Sequence, residues 1–538
     1  MKPFYKYLFL STFIILIIGC AKTGRPDGGP KDEDPPLFIT SKPPYETINF
    51  KSNEVELVFN EFVKTRDLNK QLVVSPPLKN PLLVTPQGTA SKFLNIEILD
   101  TLAPNTTYIF NFGNAIEDNN ESNKLEAFKY VFSTGTYIDS LKTEGFVKDA
   151  FFKKDPQKTN ILLYKLDSVF VDSIIYKQKP NYVTTALDTT KFNFTNLKEG
   201  NYLLLALKES TSDYIYNPVT DKIAFYSDTL QLPKDSIINK PLKLFKETQP
   251  YKFKRAKEVS KGKIEFGFEG DVKDLKVSLL SNVPQDFKSI TKLEIDKDTL
   301  SYWHTPLEVD SLNFLVSNDI YLDTVTVMLR KKKIDSLKLS PSTSGTLHLR
   351  DTFFIKGNNP IIAIDTSKIT FTDKDTLNVK YTNFISKKEN KIGFLFKKNQ
   401  KQHYNIKALP GLFKDIYNIE NDTLLYRFKT LELEDYGKIT INIVNTNQDY
   451  LIIDLLSGKE NDVIVERKYI KNTETLVFDL LEPKTYRIRA IIDANKNNKW
   501  DTGNYLTKKQ PEQVVYFEEE LKVRANYYLE GNTFTIKN

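Results

Sequence analysis

The chain is poor in the residues on which most active sites are built. It carries one cysteine, three histidines, two tryptophans and two methionines in 538 residues. A lone thiol closes no internal disulfide. His304, His348 and His403 stand apart, none with a partner at i+4 or a neighbouring Cys/Glu set, so zinc spacing is absent. There is no Gly-x-Ser-x-Gly elbow, no P-loop and no dinucleotide fingerprint. Carboxylates abound, but without a fold that encloses a cleft no acid/base pair can be picked from them. Neither sign of charge dominates, since 76 basic and 69 acidic residues leave only +7, mixed along the chain. That excludes the basic footprint of a nucleic-acid binder. Long 3.6-residue periodicity is missing, and no apolar run after residue 18 is long enough to cross a bilayer. These absences point away from an enzyme.

What is present favours strands. Hydrophobic residues make up 40% of the chain, with 36 Phe and 28 Tyr, enough for several packed cores and too much for disorder. The 25 prolines and the abundance of β-branched and aromatic residues disfavour helices. At this length three to four domains are expected, or about five if the units are small. The expected fold class is all-β, an elongated tandem of Ig-like and transthyretin-like β-sandwiches.

The N-terminus reads as an address. Lys2 and Lys6 precede an apolar run from Leu8 to Ile18, and Ile17-Ile18-Gly19-Cys20 follows. This is a signal peptide over 1–19, too short for a permanent span. A small residue before the only cysteine resembles a bacterial lipobox, which implies that Cys20 is acylated and becomes the first mature residue. Several acyl chains anchor stably, because each buried CH₂ adds about 0.8 kcal/mol. Residues 20–35, rich in Gly and Pro, form a flexible tether. Ala21 in place of an aspartate favours the outer membrane, with its periplasmic and surface faces both open. Lys31-Asp32-Glu33-Asp34 resembles the acidic export signals of surface lipoproteins in the Bacteroidota, and a solvated linker explains it equally.

Behind the tether, Val55, Leu57 and Phe59 alternate as a half-buried strand should. The Pro35-Pro36 opening, Val55 to Val63, Leu102 to Phe112, Ile116 to Leu125 and the closing Phe132-Ser133-Thr134 resemble the bacterial Ig-like domain of S-layer and surface proteins. The resemblance covers 36–135 and implies a Greek-key sandwich. Lipobox, tether and this domain together resemble Bacteroidota Ig-like lipoproteins of undefined activity. An internal repeat follows: Phe194 to Tyr202 and Phe478 to Tyr486 share a Phe-to-Tyr spacing, and Glu209 and Asp493 lie seven residues after each Tyr. The pattern resembles transthyretin-like or carboxypeptidase-regulatory sandwiches, expected over 136–247 and 435–538. In the second copy Tyr486, Ile488, Ala490 and Ile492 are expected to face the core, and Arg487 and Arg489 to face solvent. Two further sandwiches, 248–345 and 346–434, fill the middle. The Arg330-Lys331-Lys332-Lys333 run reads as a charged hairpin tip, with an anionic-lipid patch as its alternative.

Three features offer chemistry. Asp493, Asn495, Asn497, Lys499 (by its carbonyl) and Asp501 fall at positions 1, 3, 5, 7 and 9 of a curled loop, a spacing at which alternate residues point inward to a hard cation. The loop resembles those of EF-hand and dockerin repeats, which implies calcium. Position 12 is Asn504 and not a bidentate Glu, so another ligand such as Glu512 has to complete the shell. An Asn-rich turn bonding to its own backbone is the alternative. Glu209, Thr211, Asp213 and Asn217 are a degraded counterpart in the first copy. Second, Asp-Ser/Thr followed by an apolar residue or Thr occurs fourteen times, where average composition gives about two or three. This resembles the O-glycosylation signal of extracytoplasmic Bacteroidota proteins. It nominates Thr101, Ser140, Thr229, Thr299, Thr376 and Thr423, although turns entering strands explain part of the excess. Third, Trp303 and Trp500 are candidates for an aromatic glycan platform, with core or hinge packing as the commoner reading.

The expected function is that of an outer-membrane lipoprotein with a non-catalytic binding or scaffolding role, which a place as subunit of an outer-membrane protein complex would suit. A surface lipoprotein that binds or degrades polysaccharide is the alternative. Expected partners are the bilayer, through Cys20, and envelope proteins, with glycan as the alternative's ligand. No cofactor is required, and calcium is the one candidate.

Overall fold

The structure is a computed structural model that describes residues 31–538 apart from 188, 331, 388, 459–461 and 537–538. The signal peptide, Cys20 and most of the tether lie outside the described residues. Five all-β modules follow one another, each a pair of facing sheets around its own apolar core. The accessible surface is 31323 Å² for 62.1 kDa. A single globule of that mass exposes about 20,000 Å², so the modules are strung out and not merged.

Module 1 faces strands Phe38–Lys42, Glu54–Thr65, Ser91–Glu97 and Leu83–Thr85 against Val73–Ser75, Thr107–Gly113 and Phe128–Ser133. The period-2 rule holds, with Val55, Leu57 and Phe59 buried and Glu54 and Glu56 exposed. Phe110, Tyr130 and Phe132 fill the opposite layer.

Module 3 runs from Lys252–Ser260 to Leu322–Met328, and module 4 from Leu339–Pro341 to Leu424–Lys429. Leu339–Pro341 pairs with Phe353–Gly357 inside module 4. The change of module therefore falls between 328 and 339, ahead of the expected boundary at 345. Ser342 to Gly345 is a turn within module 4, and turn composition alone does not separate the two cases. The basic run is part of this crossing and not a hairpin tip. The Arg330 N–H donates to the Glu258 carboxylate at 2.8 Å, and Lys332 Nζ to the Glu258 carbonyl at 2.5 Å.

Modules 2 and 5 are structural copies. Each has eight strands, from Leu141–Asp149 to Leu242–Leu244 and from Gly437–Asn445 to Tyr528–Ile536. In both, the last strand pairs in parallel with the first, and the second and fifth strands make the central antiparallel pair. The Phe-to-Tyr repeat is the hairpin between strands four and five. Asn196 and Leu480 occupy the same left-handed turn position, at φ 57° and 46°. The Tyr202 hydroxyl donates to the Lys198 carbonyl at 2.9 Å, and the Tyr486 hydroxyl to the Glu482 carbonyl at 2.8 Å. A buried ring thus pins the preceding turn in each copy, the device known as a tyrosine corner.

The expected inward set, Tyr486, Ile488, Ala490 and Ile492, is buried. The expected outward pair is not exposed: Arg489 is only 1% accessible and Arg487 is half-buried. Alternation assigned them correctly to the outer face of the sheet, but module 2 covers that face.

Replacing the corner tyrosines tests the repeat. Tyr202→Phe and Tyr486→Phe each leave a turn carbonyl without its donor, at a cost of about 1–2 kcal/mol. Thermal unfolding of the whole chain is expected to show a lowered transition for the substituted module alone.

Candidate functional site at the joint between modules 2 and 5

The loop after each fifth strand is built in the same way. Asp493 accepts the backbone N–H of Asn497 at 3.0 Å and that of Asn498 at 2.8 Å, four and five residues on. Its counterpart Glu209 accepts those of Asp213 and Tyr214 at the same offsets. The acid closing the repeat is therefore a loop-capping group in both modules.

In module 5 the loop gathers more oxygen. Asn495 and Asn497 accept the N–H groups of Asn497 and Lys499, and both side-chain amides donate to Asp501, the second at 2.8 Å. Lys499 Nζ lies 3.9 Å from Asp501. Glu512 reaches in as anticipated: its carboxylate accepts the N–H groups of Ala494 at 2.9 Å and Asp501 at 3.0 Å. Burial pushes the Glu512 carboxyl above its usual range, and the charges of Asp501 and Asp493 add to that rise against the opposing backbone hydrogen bonds. Among the described residues no three His, Cys, Asp or Glu side chains are grouped to hold a metal.

The segment just beyond this loop docks on module 2. Trp500 packs on Phe151 at 4.7 Å and donates Nε1–H to the Glu512 carbonyl at 3.0 Å. Tyr505 is fully buried against Phe225 in the apolar layer that covers the outer face of module 2's sheet. Its N–H donates to Glu247 at 2.5 Å and its hydroxyl to Asp172 at 3.2 Å. Burial, with Asp172 adding, drives the Tyr505 hydroxyl far above the usual tyrosine range. Gly503 is needed here because a Cβ would sit 2.7 Å from the Phe245 ring. The Thr502 hydroxyl donates to the Lys246 carbonyl at 2.7 Å, and Gln510 Nε2 to the Phe225 carbonyl at 2.9 Å.

Module 2 reciprocates. Phe151 lies under the Arg489 guanidinium at 4.1 Å, a cation–π contact. Its carbonyl accepts the Tyr516 hydroxyl at 2.9 Å. Beneath it is a buried network: Arg489 to Asp454 at 2.7 Å, Arg467 to Asp454 at 2.6 Å and Arg487 to Asp462 at 2.7 Å. Asp454 is 0% exposed. In module 2 the corresponding cross-strand pair is Leu162 and Leu205. Two copies of one fold thus present an apolar outer face and an ionic one, and each is covered by the other's loop.

The remaining sequence candidates are dispersed. Thr101, Ser140, Thr229, Thr376 and Thr423 are exposed and Thr299 half-buried, and none of the fourteen motif hydroxyls is buried. Both tryptophans serve packing. Trp303 is 2% exposed beneath Lys263, and Trp500 is part of the joint, so neither forms a glycan platform. Of the joint residues, Tyr505, Phe151, Asp454 and Arg489 escaped sequence reasoning. The legible sign was the exchange of a Leu–Leu pair for an Asp–Arg pair at one repeat position.

Residues 32–134 match the family model described as a bacterial Ig-like domain. No curated protein matches the chain. Among solved structures the chain is similar to domains 1–6 of the surface layer protein SbsC, at 11% identity and a TM-score of 0.15, over 90% of this chain and 67% of that one. It is also similar to the major pilin subunit BcpA of Bacillus cereus, at 9% identity and a TM-score of 0.13, over 74% and 99%. A third similarity is to the I9–I11 tandem of titin, at 9% and 0.12, over 52% and 100%.

Two variants separate apolar from ionic contributions to the joint. Tyr505→Ala removes the buried ring, a loss of about 3–5 kcal/mol in contact energy. It is expected to raise the radius of gyration in small-angle scattering without loss of strand content. Arg489→Leu leaves buried Asp454 with Arg467 as its one remaining cation and is expected to cost about 2–3 kcal/mol. Asp454→Leu/Arg489→Leu, which reproduces the pair of module 2, recovers most of that loss in thermal unfolding.

Proposed function

We propose that this chain is a non-catalytic scaffold of the bacterial cell envelope, lipid-anchored at the outer membrane through Cys20, which presents surfaces to envelope proteins at a fixed spacing. The observation that carries the reading is closure of the tandem on itself. Module 2 continues into module 3. Tyr417 of module 4 packs on Gly262 of module 3. The His348 ring nitrogen of module 4 meets the Leu480 carbonyl of module 5 at 2.8 Å, and Arg350 meets Glu466 at 2.9 Å. Module 5 then returns to module 2. A circuit of contacts holds loops and strand edges at set positions, which is what a scaffold needs and what a flexible string of domains lacks.

Calcium at the 493–501 loop belongs to this reading. The charges of Asp501 and Asp493 act against the half-buried Glu512 carboxylate, and a cation relieves that repulsion. The amides of Asn495 and Asn497 supply oxygens by turning away from the Asn497 and Lys499 N–H groups that they cap. The same reading takes Thr101, Ser140, Thr229, Thr299, Thr376 and Thr423 as carriers of glycans that hydrate the turns. The accessibility of these hydroxyls supports it.

Cys20→Ala is expected to move the protein from the membrane fraction to the soluble fraction on cell fractionation, with crosslinking in intact cells losing its envelope neighbours. Calorimetric titration of the soluble chain with calcium is expected to give one site, lost in Asp501→Asn/Glu512→Gln. Heat absent in both chains removes the metal from the reading. Intact-mass measurement of native protein is expected to exceed the sequence mass, and to fall when the six hydroxyls are removed by Ser140→Ala and by Thr→Val at the other sites.

A further inference from the structure

Module 3 is the least complete of the five sandwiches. Ten apolar residues are buried in its core, against fourteen to eighteen in the cores of the others. The gap has a place. On one side of the module the edge strands Lys252–Ser260 and Leu322–Met328 run close together. On the other side Ser289–Glu294 and Lys276–Leu279 end their sheets, and Val277 and Leu279 are only half-buried although they face core residues Val316 and Phe314.

Strand Ser289–Glu294 is a regular edge. It pairs with Thr299–His304 without a bulge, contains no proline, and among the described residues makes no other backbone hydrogen bond. Its core-side residues are uncovered. Leu293 faces buried Leu300 yet is 39% exposed, and Ile295, the first residue of the 3₁₀ turn that ends the strand, is 66% exposed. An edge with unpaired N–H and C=O groups and apolar residues at alternate positions templates another strand.

We propose that this edge pairs antiparallel with the same strand of a second copy of the chain, about a two-fold axis through Leu293. The sequence is self-complementary in that register. Lys292 of one copy lies opposite Glu294 of the other, twice. Leu293 meets Leu293, and Thr291 of each copy comes against the 3₁₀ turn that Ile295 opens in the other, which covers the two most exposed apolar groups of this edge. Within one copy Lys292 and Glu294 are already 3.5 Å apart on the outer face, where Glu294 also holds Lys297 at 3.1 Å, so pairing extends this cluster across the axis. A shift by one residue would place core-side groups opposite solvent-side groups, and a shift by two sets Glu294 against Glu294 or Lys292 against Lys292. The self-complementary charges specify a second copy over an unrelated strand.

Two experiments on the mature chain carrying Cys20→Ser test this. In sedimentation or light scattering the protein is expected to form a concentration-dependent dimer. Lys292→Glu or Glu294→Lys alone weakens it at least tenfold, and the double exchange Lys292→Glu/Glu294→Lys restores it. A protein monomeric at all accessible concentrations, or single variants that dimerise like the parent, overturn the proposal, and so does a double variant no better than the singles. Folding of each variant is checked by circular dichroism. Independently, the substitution Leu293→Cys then supplies the only thiol in the chain. Facing residues of an antiparallel pair lie at disulfide-compatible separation, so diamide is expected to link the chain into a covalent dimer. Ile320→Cys, at a position more exposed than Leu293 but away from the edge, is expected to stay monomeric. Equal crosslinking of the two variants, or none for Leu293→Cys, overturns the register.

Discussion

The insertion of Tyr505 into the apolar layer of module 2 is the contact on which the arrangement of the chain depends. Without it modules 2 to 5 are four sandwiches on short linkers, free to adopt many relative orientations. With it the fifth module is held by a fully buried ring, by Thr502, Tyr505 and Gln510 bonding to module 2, and by Phe151 seated under Arg489. The contact joins residues more than 250 positions apart, but chain entropy opposes it weakly. Closure cost grows only with the logarithm of loop length, and modules 3 and 4 are already folded. Attachment within one chain also raises the effective concentration of the two faces, so a modest interface suffices.

Modules 2 and 5 show how one fold is turned to two purposes by its outer face alone. Their inner cores keep the repeat, with Phe194 and Phe478, Tyr202 and Tyr486 in equivalent places. Outside, Leu162 and Leu205 give way to Asp454 and Arg489. A buried ion pair adds little net stability over an apolar pair, but it penalises any docking that leaves one charge uncompensated. The apolar face supplies the area of the joint, and the ionic face selects its geometry.

Local chemistry was legible in the sequence, and the relations between modules were not. The Phe-to-Tyr spacing located both tyrosine corners, and Val55, Leu57 and Phe59 marked the core of module 1, because strand periodicity and turn geometry are written within a few residues. Arg489 misled for a physical reason. Alternation says which side of a sheet a side chain occupies, but not whether water or another module lies beyond it. Trp303 and Trp500 took the commoner of the two readings open to them, core and hinge packing, because an aromatic ring suits a glycan platform and a packed joint equally well in sequence. The boundary near 345 failed because a turn inside a module and a turn between modules use the same residues.

The 493–512 segment ties these strands together. Its capping acid is shared with module 2, where Glu209 closes the same loop with a single asparagine, Asn160 of a neighbouring strand, donating to it at 2.9 Å. The fold therefore needs the acid, and the extra oxygens of Asn495, Asn497, Asp501 and Glu512 exceed what closing the loop requires. They sit immediately before Trp500, Gly503 and Tyr505, the residues that dock. Backbone held rigid by the loop reaches module 2 already shaped, so little conformational entropy is lost on docking. Asp501 and Glu512 stand at both ends of the docking segment and are fastened to each other, the Glu512 carboxylate accepting the Asp501 N–H and the Asp501 carbonyl accepting the Glu512 N–H at 3.0 Å. The bonds that close the loop are thus the bonds that hold the docking backbone in shape, so loosening the loop loosens the joint and with it the closure of the whole circuit.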